Sequence, residues 1–159
     1  TKAIFMAQDV HHEHLPKQIA FNCYPMVGFE RDDNMTDVEV NTMGMLKKII
    51  DPKLKVAINT VTVPCFVGDG IMVNVECAED ISPIKASLWM SDQKGLAIVE
   101  DDTNLPSHSD ITGEALTFVA RMRDDISVEN GLSFWLMGDN LRKGSAQNMV
   151  DIAVEVTKK

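Results

Sequence analysis

Residues 58–77, INTVTVPCFVGDGIMVNVEC, decide how the rest of the chain is read. β-Branched residues alternate up to Val63, Pro64 removes a backbone donor, Gly68 and Gly70 allow positive φ, and Ile71-Met72-Val73-Asn74-Val75 resumes the alternation. The pattern predicts two strands on either side of a forced bend. Side chains at such a bend are presented rather than packed away, so Thr62, Cys65 and Asp69 are the first candidates for chemistry. An ordinary connection between neighbouring strands is the plain alternative.

Upstream, residues 36–50 read as an amphipathic helix. Thr36-x-x-Glu39 has the form of a capping box, Asp37 suits the positive helix end, and Asp51-Pro52 stops the run. Val38, Met43, Met45, Leu46, Ile49 and Ile50 share one arc, with Lys47 and Lys48 outside it. Glu39 falls within that arc, which either capping or a role in an inward-facing site explains. Residues 18–24, with Ile19, Phe21 and Cys23 alternating, predict a short strand closed by Pro25 and Gly28. His11-His12-Glu13-His14 has the donors for a metal but not the i,i+4 spacing of a fixed site, and it reads instead as an exposed polar loop ahead of Pro16; no metal site is assigned.

Downstream, Ser82-Pro83 opens a second helix that carries Ile84, Leu88 and Trp89 as far as Gly95. A short strand at 96–99 and a surface loop at 101–113, containing a solvated His108, follow. Two strands at 116–122 and 132–137 are joined around Asn130-Gly131. Residues 141–157 predict a last helix in which Met149, Ile152, Ala153 and Val156 mark the buried stripe, with Lys158-Lys159 at its negative end. Six strands and three helices, with few helices between strands, predict a single α+β domain over residues 1–159. Its helices pack on one face of a mainly antiparallel or mixed sheet.

The composition fits this. The chain has 159 residues, 45% apolar and 25% charged, enough for one real core. No run of 18 apolar residues and no basic-then-apolar leader occurs, so neither a membrane span nor a signal peptide is expected. A net charge of −9 excludes partners that need a positive field, namely nucleic acid and anionic membrane. Cys23, Cys65 and Cys77 are odd in number, show no CxxC spacing and read as buried thiols of a reducing compartment, hence a cytoplasmic protein. The opening Thr1 followed by Ala3-Ile4-Phe5-Met6 suggests a chain cut from something longer.

Several motifs in register add to this. Gln18-Ile19-Ala20-Phe21-Asn22 before Pro25, Val63-Pro64 to Gly68 with Val73-Asn74-Val75-Glu76, Arg121-Met122-Arg123-Asp124-Asp125, Asn130-Gly131-Leu132-Ser133-Phe134-Trp135 and Asp139-Asn140-Leu141-Arg142-Lys143-Gly144 resemble the C-terminal half of aspartate-semialdehyde dehydrogenase. The resemblance covers nearly the whole chain. It implies the dimerisation domain of the semialdehyde dehydrogenase and glyceraldehyde-3-phosphate dehydrogenase-like type, working as a homodimer. An absent N-terminal half would carry the NADP-binding loop and the nucleophilic cysteine, and helix 141–157 would pack on it. The implied reaction is NADPH-dependent reduction of aspartyl phosphate through a thioester, so the isolated chain is expected to be inert.

By the same resemblance, Glu39, Asn41 and Thr62 occupy substrate-binding positions, Asp69 the acid–base position, and Asn140 and Gly144 positions against the nicotinamide end of NADP. Three of these depart from the family pattern. Thr62 stands where an arginine grips the substrate carboxylate, Asp69 where a histidine belongs, and Asn41 where a lysine belongs. A guanidinium makes charge-assisted hydrogen bonds worth roughly 1.5–3 kcal/mol each, and a threonine hydroxyl offers one neutral bond. The lost histidine is a group contributing ~10²–10⁴-fold. Three readings therefore stay open: the dehydrogenase half, a catalytically degenerate dimerisation module, and a reductase of another acyl substrate. Asp139 or Asn140 capping the last helix, and close packing at Gly144, are the structural alternatives to the cofactor role.

Overall fold

The bend at Pro64 is where the chain divides, into Thr1–Pro64 and Cys65–Lys159. The structure, a computed structural model, describes residues 2–6, 17–100 and 103–158.

In the first unit, α1 (Lys2–Phe5) is a single turn, and the ring of Phe5 meets that of Phe21 edge-on at 5.3 Å. The main element is α2 (Asp37–Ile49). Its capping box forms as predicted: Glu39 N–H donates to Thr36 Oγ1 at 3.2 Å, and Thr36 N–H donates to Glu39 Oε2 at 2.8 Å. Of the predicted apolar arc, Met45, Ile49 and Ile50 remain exposed. The two predicted strands at 18–24 and 58–63 do not form. Phe21 turns the chain with a φ of 58°, and only Tyr24 and Thr62 pair, exchanging backbone hydrogen bonds of 2.9 and 2.8 Å. Alternation without a continuous partner strand leaves one bridge rather than a ladder.

The second unit carries a mixed four-stranded sheet in the order β1-β4-β3-β2. Strand β1 (Asp69–Glu76) is the predicted alternating run, at one edge. It is followed by α3 (Pro83–Ser91), which Ser82 caps and which ends at Ser91, short of Gly95. Next come β2 (Leu96–Ile98), α4 (His108–Ile111), β3 (Thr117–Asp124) and β4 (Gly131–Gly138). β4 is antiparallel to both β1 and β3, whereas β2 is parallel to β3. Asn130, at a φ of 55°, makes the predicted turn into β4. One extra residue between Ala120 and Arg123, with Arg121 at a φ of 55°, bulges β3. The core centres on Ile111, Val119, Ala120, Leu132 and Met137.

Four further expectations are corrected. The 101–113 loop contains α4, because Ser107 and Asp110 form their own capping box, with Ser107 N–H donating to Asp110 Oδ2 at 2.7 Å. His108 is half-buried rather than solvated, because the missing side chains of Gly68 and Gly70 leave room for its ring. The last helix starts as a wide helical stretch, Arg142–Gln147, before α5 (Asn148–Thr157), and none of its residues is buried, so Met149, Ile152 and Val156 form no covered stripe. Cys23 and Cys65 are exposed and Cys77 half-buried, since the segments of the first two are irregular rather than strands.

Candidate functional site

Residues exactly opposite in a ladder share a face. Asp69, Gly138 and Thr117 are cross-strand partners, as are Ile71, Leu136 and Val119. That face meets the start of the last helix in a cleft of about 300 Å³. Asp69, Thr117, Asn140, Lys143, Gly144 and Asn148 supply its polar and open positions, and Ile71 and Leu136 line it with apolar surface. Three of the predicted site residues, Asp69, Asn140 and Gly144, therefore come together.

Asp139 builds this corner. Its buried carboxylate accepts N–H bonds from Gly113 at 2.8 Å, Leu141 at 2.8 Å and Arg142 at 3.2 Å. Of the two capping candidates it is thus Asp139 that caps the helix start. The Gly113 bond is the main cause holding its pKa below the ordinary aspartate value; the Leu141 and Arg142 bonds and the Arg142 charge act the same way, and burial opposes them. The Asp139 carbonyl accepts Lys143 N–H at 2.9 Å and Gly144 N–H at 3.4 Å, the second being the five-residue step of a widened turn. Widening turns Asn140 toward β1. Gly68 N–H donates to Asn140 Oδ1 at 3.3 Å, and Asn140 Nδ2 donates to Asp69 Oδ1 at 3.4 Å. A Cβ on Gly144 would meet only the Asn140 Cβ, at 3.7 Å, so its backbone is open to approach.

Lys143, which sequence reasoning did not select, lies in the cleft with its ammonium 3.6 Å from Asp151. Its stem packs over Gly95, whose added Cβ would come 2.7 Å from Nζ. The Lys-Gly pair inside the quoted Asn140–Gly144 run was the available signal.

A depressed carboxyl contributes stability above its unfolded-state value, and that stability is lost as the pH falls through the lower folded-state value. Asp139→Asn is accordingly expected to lower the thermal midpoint near neutral pH and to flatten its decline below about pH 4, the ordinary aspartate range. Unfolding scans across pH check this, and an unchanged acid limb would remove Asp139 from the account.

The other predicted residues lie in the first unit. Glu39 is buried, and besides the capping bond its carboxylate accepts Thr60 N–H at 2.7 Å and Thr60 O–H at 3.0 Å. The Thr36 and Thr60 backbone bonds, in that order, lower its pKa. Thr62 donates its hydroxyl to Met26 O at 2.8 Å, and Asn41 is exposed. A second hollow, of about 390 Å³, lies at Arg31, Asp32 and Asp33, where Arg31 and Asp33 pair at 3.6 Å. His11-His12-Glu13-His14 lies outside the described residues, and no cluster of metal-binding side chains occurs among the described ones. Among them, no helix is long and apolar enough to cross a membrane.

Comparison with known proteins agrees with this architecture. Residues 1–143 match the family model of the semialdehyde dehydrogenase dimerisation domain. The aspartate-semialdehyde dehydrogenase of Rickettsia bellii is 37% identical over 160 residues, covering 99% of this chain and 47% of that protein. The crystal structure of aspartate semialdehyde dehydrogenase II from Vibrio cholerae superposes with a TM-score of 0.94 at 29% identity, over 100% of this chain and 48% of that one. The same enzyme complexed with ASA gives 0.91 at 30% identity, over 96% and 46%. The chain spans about half the length of the relatives it matches. It belongs to the semialdehyde dehydrogenase family, as a C-terminal dimerisation domain of the aspartate-semialdehyde dehydrogenase type.

Proposed function

We propose that this chain is the substrate-contacting and dimerising half of an NADP-dependent semialdehyde dehydrogenase. It acts in the cytoplasm as a homodimer, joined to a dinucleotide-binding half on which its last helix packs, and it is inert alone. The substrate, by likeness to the relatives, is aspartyl phosphate. The observation that carries the reading is the cleft in which Asp69, Asn140 and Gly144 converge.

The residues fit the cofactor's carboxamide end. Asn140 keeps one amide N–H and one oxygen lone pair beyond its bonds to Asp69 and Gly68, the complement of another carboxamide. Gly144 lets a flat ring approach the backbone. NADPH, when bound, supplies the hydride; this chain's own part is to orient and to exclude water. The homodimer is supported by the apolar surface this chain leaves uncovered, including Ile71 and Met72 on the edge strand and Ile84, Leu88 and Trp89 on α3.

One set of observations favours a second reading, a non-enzymatic dimerisation module. Thr62 already uses its hydroxyl on Met26, the Glu39 carboxylate is held by three hydrogen bonds from Thr36 and Thr60, and Asn41 carries no charge, so the first unit's candidates offer no cation to an anionic substrate. A reductase of a different acyl substrate lies between the two. The test is phosphate-dependent reduction of NADP by aspartate semialdehyde in the full-length protein, beside an Asn41→Lys, Thr62→Arg, Asp69→His triple variant. Measurable turnover is expected from the unmodified protein, with a gain of about 10²-fold or more in the triple variant. Turnover in the triple variant alone selects the non-enzymatic reading, and none in either removes the oxidoreductase.

A further inference from the structure

Residues 142–147 leave the ordinary helical register, and side-chain bonds hold both ends of the departure. At the near end Asp139 caps the start, and Ser145 Oγ donates to the Asn140 carbonyl at 2.9 Å. At the far end stands Asp151, in the first turn of α5. Its carboxylate accepts Gln147 Nε2 at 2.9 Å and pairs with the Lys143 ammonium at 3.6 Å. No residue of the wide stretch or of α5 is buried, so these bonds rather than core packing fix how the two join. The Gln147 bond above all, and then the Lys143 and Lys94 charges, hold the Asp151 carboxyl below the ordinary aspartate range against the effect of burial.

The pair with Lys143 is matched to the wide register. On a regular α-helix two residues eight apart lie about 12 Å apart along the axis and about 80° apart around it. A turn closed by a five-residue step, as Gly144 N–H to the Asp139 carbonyl, holds more residues and swings position 143 round toward position 151. Lys143 is further fixed over Gly95, where an added Cβ would come 2.7 Å from Nζ. We propose that Asp151 is a positioning residue of the cleft: through Lys143 and Gln147 it keeps residues 142–147 in the wide register that turns Asn140 toward β1 and leaves the Gly144 backbone open. Asp151 itself lines no part of the cleft. The proposal rests on the reading that Asn140 and Gly144 meet the carboxamide end of the cofactor, and it extends that site to a residue on α5.

The test is NMR of the isotopically labelled full-length protein at the Asn140 side-chain amide and the Gly144 N–H, first ligand-free and then titrated with NADP. Asp151→Asn can still accept Gln147 Nε2 but loses the pair with Lys143. In the ligand-free protein it is expected to shift both resonances, and on titration to weaken NADP binding about twofold to fivefold, the range of a partly exposed ion pair. Asp151→Glu restores the charge and is expected to recover part of both effects. In a Lys143→Met background Asp151→Asn is expected to change little, since both act through one pair. Resonances unmoved by Asp151→Asn, effects as large in Asp151→Glu, or full additivity with Lys143→Met each overturns the proposal; a merely stabilising pair would lower the thermal midpoint and leave both resonances in place. Ligand-free shifts that Asp151→Glu rescues, in a protein whose Asn140 and Gly144 ignore NADP, uphold the hold of Asp151 on the stretch and remove the cofactor reading. NADP binding at both groups that is indifferent to Asp151→Asn does the reverse.

Discussion

Ile111→Ala is expected to lower the free energy of unfolding by about 2–5 kcal/mol, with Ile111→Val costing about 0.5–1.5 kcal/mol. Ile111 is 0% exposed, and among the described residues only Val119, at 1%, is a comparably enclosed large side chain. It reaches the core because α4 exists: the Ser107–Asp110 capping box fixes one helical turn, and Ile111 closes that turn against the start of β1, where its Cδ1 would lie 3.3 Å from a Cβ on Gly68. Removing it leaves a cavity whose rim is the backbone of Gly68. Urea titration reads the change as a shift in midpoint at constant slope. A loss below about 0.5 kcal/mol would mean that the unit closes over the gap and that α4 is not part of its core.

How much of this was legible in the residues differs by element, for physical reasons. The capping box at Thr36 and Glu39, the Ser82-Pro83 helix start, the turn at Asn130-Gly131 and the alternation of 71–75 all came through, because each is decided by contacts a few residues apart. Residues 18–24 and 58–63 alternate as strands should, yet a strand also needs a partner at matching register over several residues. The turn at Phe21 confines their pairing to Tyr24 and Thr62. The stripes on α3 and α5, and the Met45, Ile49 and Ile50 part of that on α2, are real in sequence and exposed in the structure, since an apolar face specifies that something covers it and not what. Of the residues lining the cleft, Asp69, Asn140 and Gly144 were singled out from the sequence. Lys143 was not, nor was the half-burial of His108 outside the cleft, because each depends on what the side chain packs against, Gly95 in one case and Gly68 and Gly70 in the other.

Gly68→Ala is expected to cost about 2–4 kcal/mol and to disturb the cleft at the same time. The residue sits at a φ of +93°, where a Cβ is strained whatever the space around it. The space is also taken: an added Cβ would lie 3.1 Å from His108 Cδ2, 3.2 Å from Gly138 O and 3.3 Å from Ile111 Cδ1. His108 can turn aside and the Gly138 carbonyl cannot, because it belongs to the central strand β4. The backbone of Gly68 must therefore move, and it carries the N–H that holds Asn140 and leads directly into Asp69. The Asn140 side-chain amide resonance should shift together with the loss of stability, which a substitution remote from the cleft would not produce. A double-mutant cycle separates the causes. Ile111→Val deletes the Cδ1 contact, so Gly68→Ala should cost about 0.5 kcal/mol or more less in that background, while the strain at positive φ and the clash with Gly138 remain. Full additivity would show that Ile111 does not press on Gly68, and an alanine tolerated with an unmoved Asn140 resonance would show that the entry to β1 is free to adjust without disturbing Asn140.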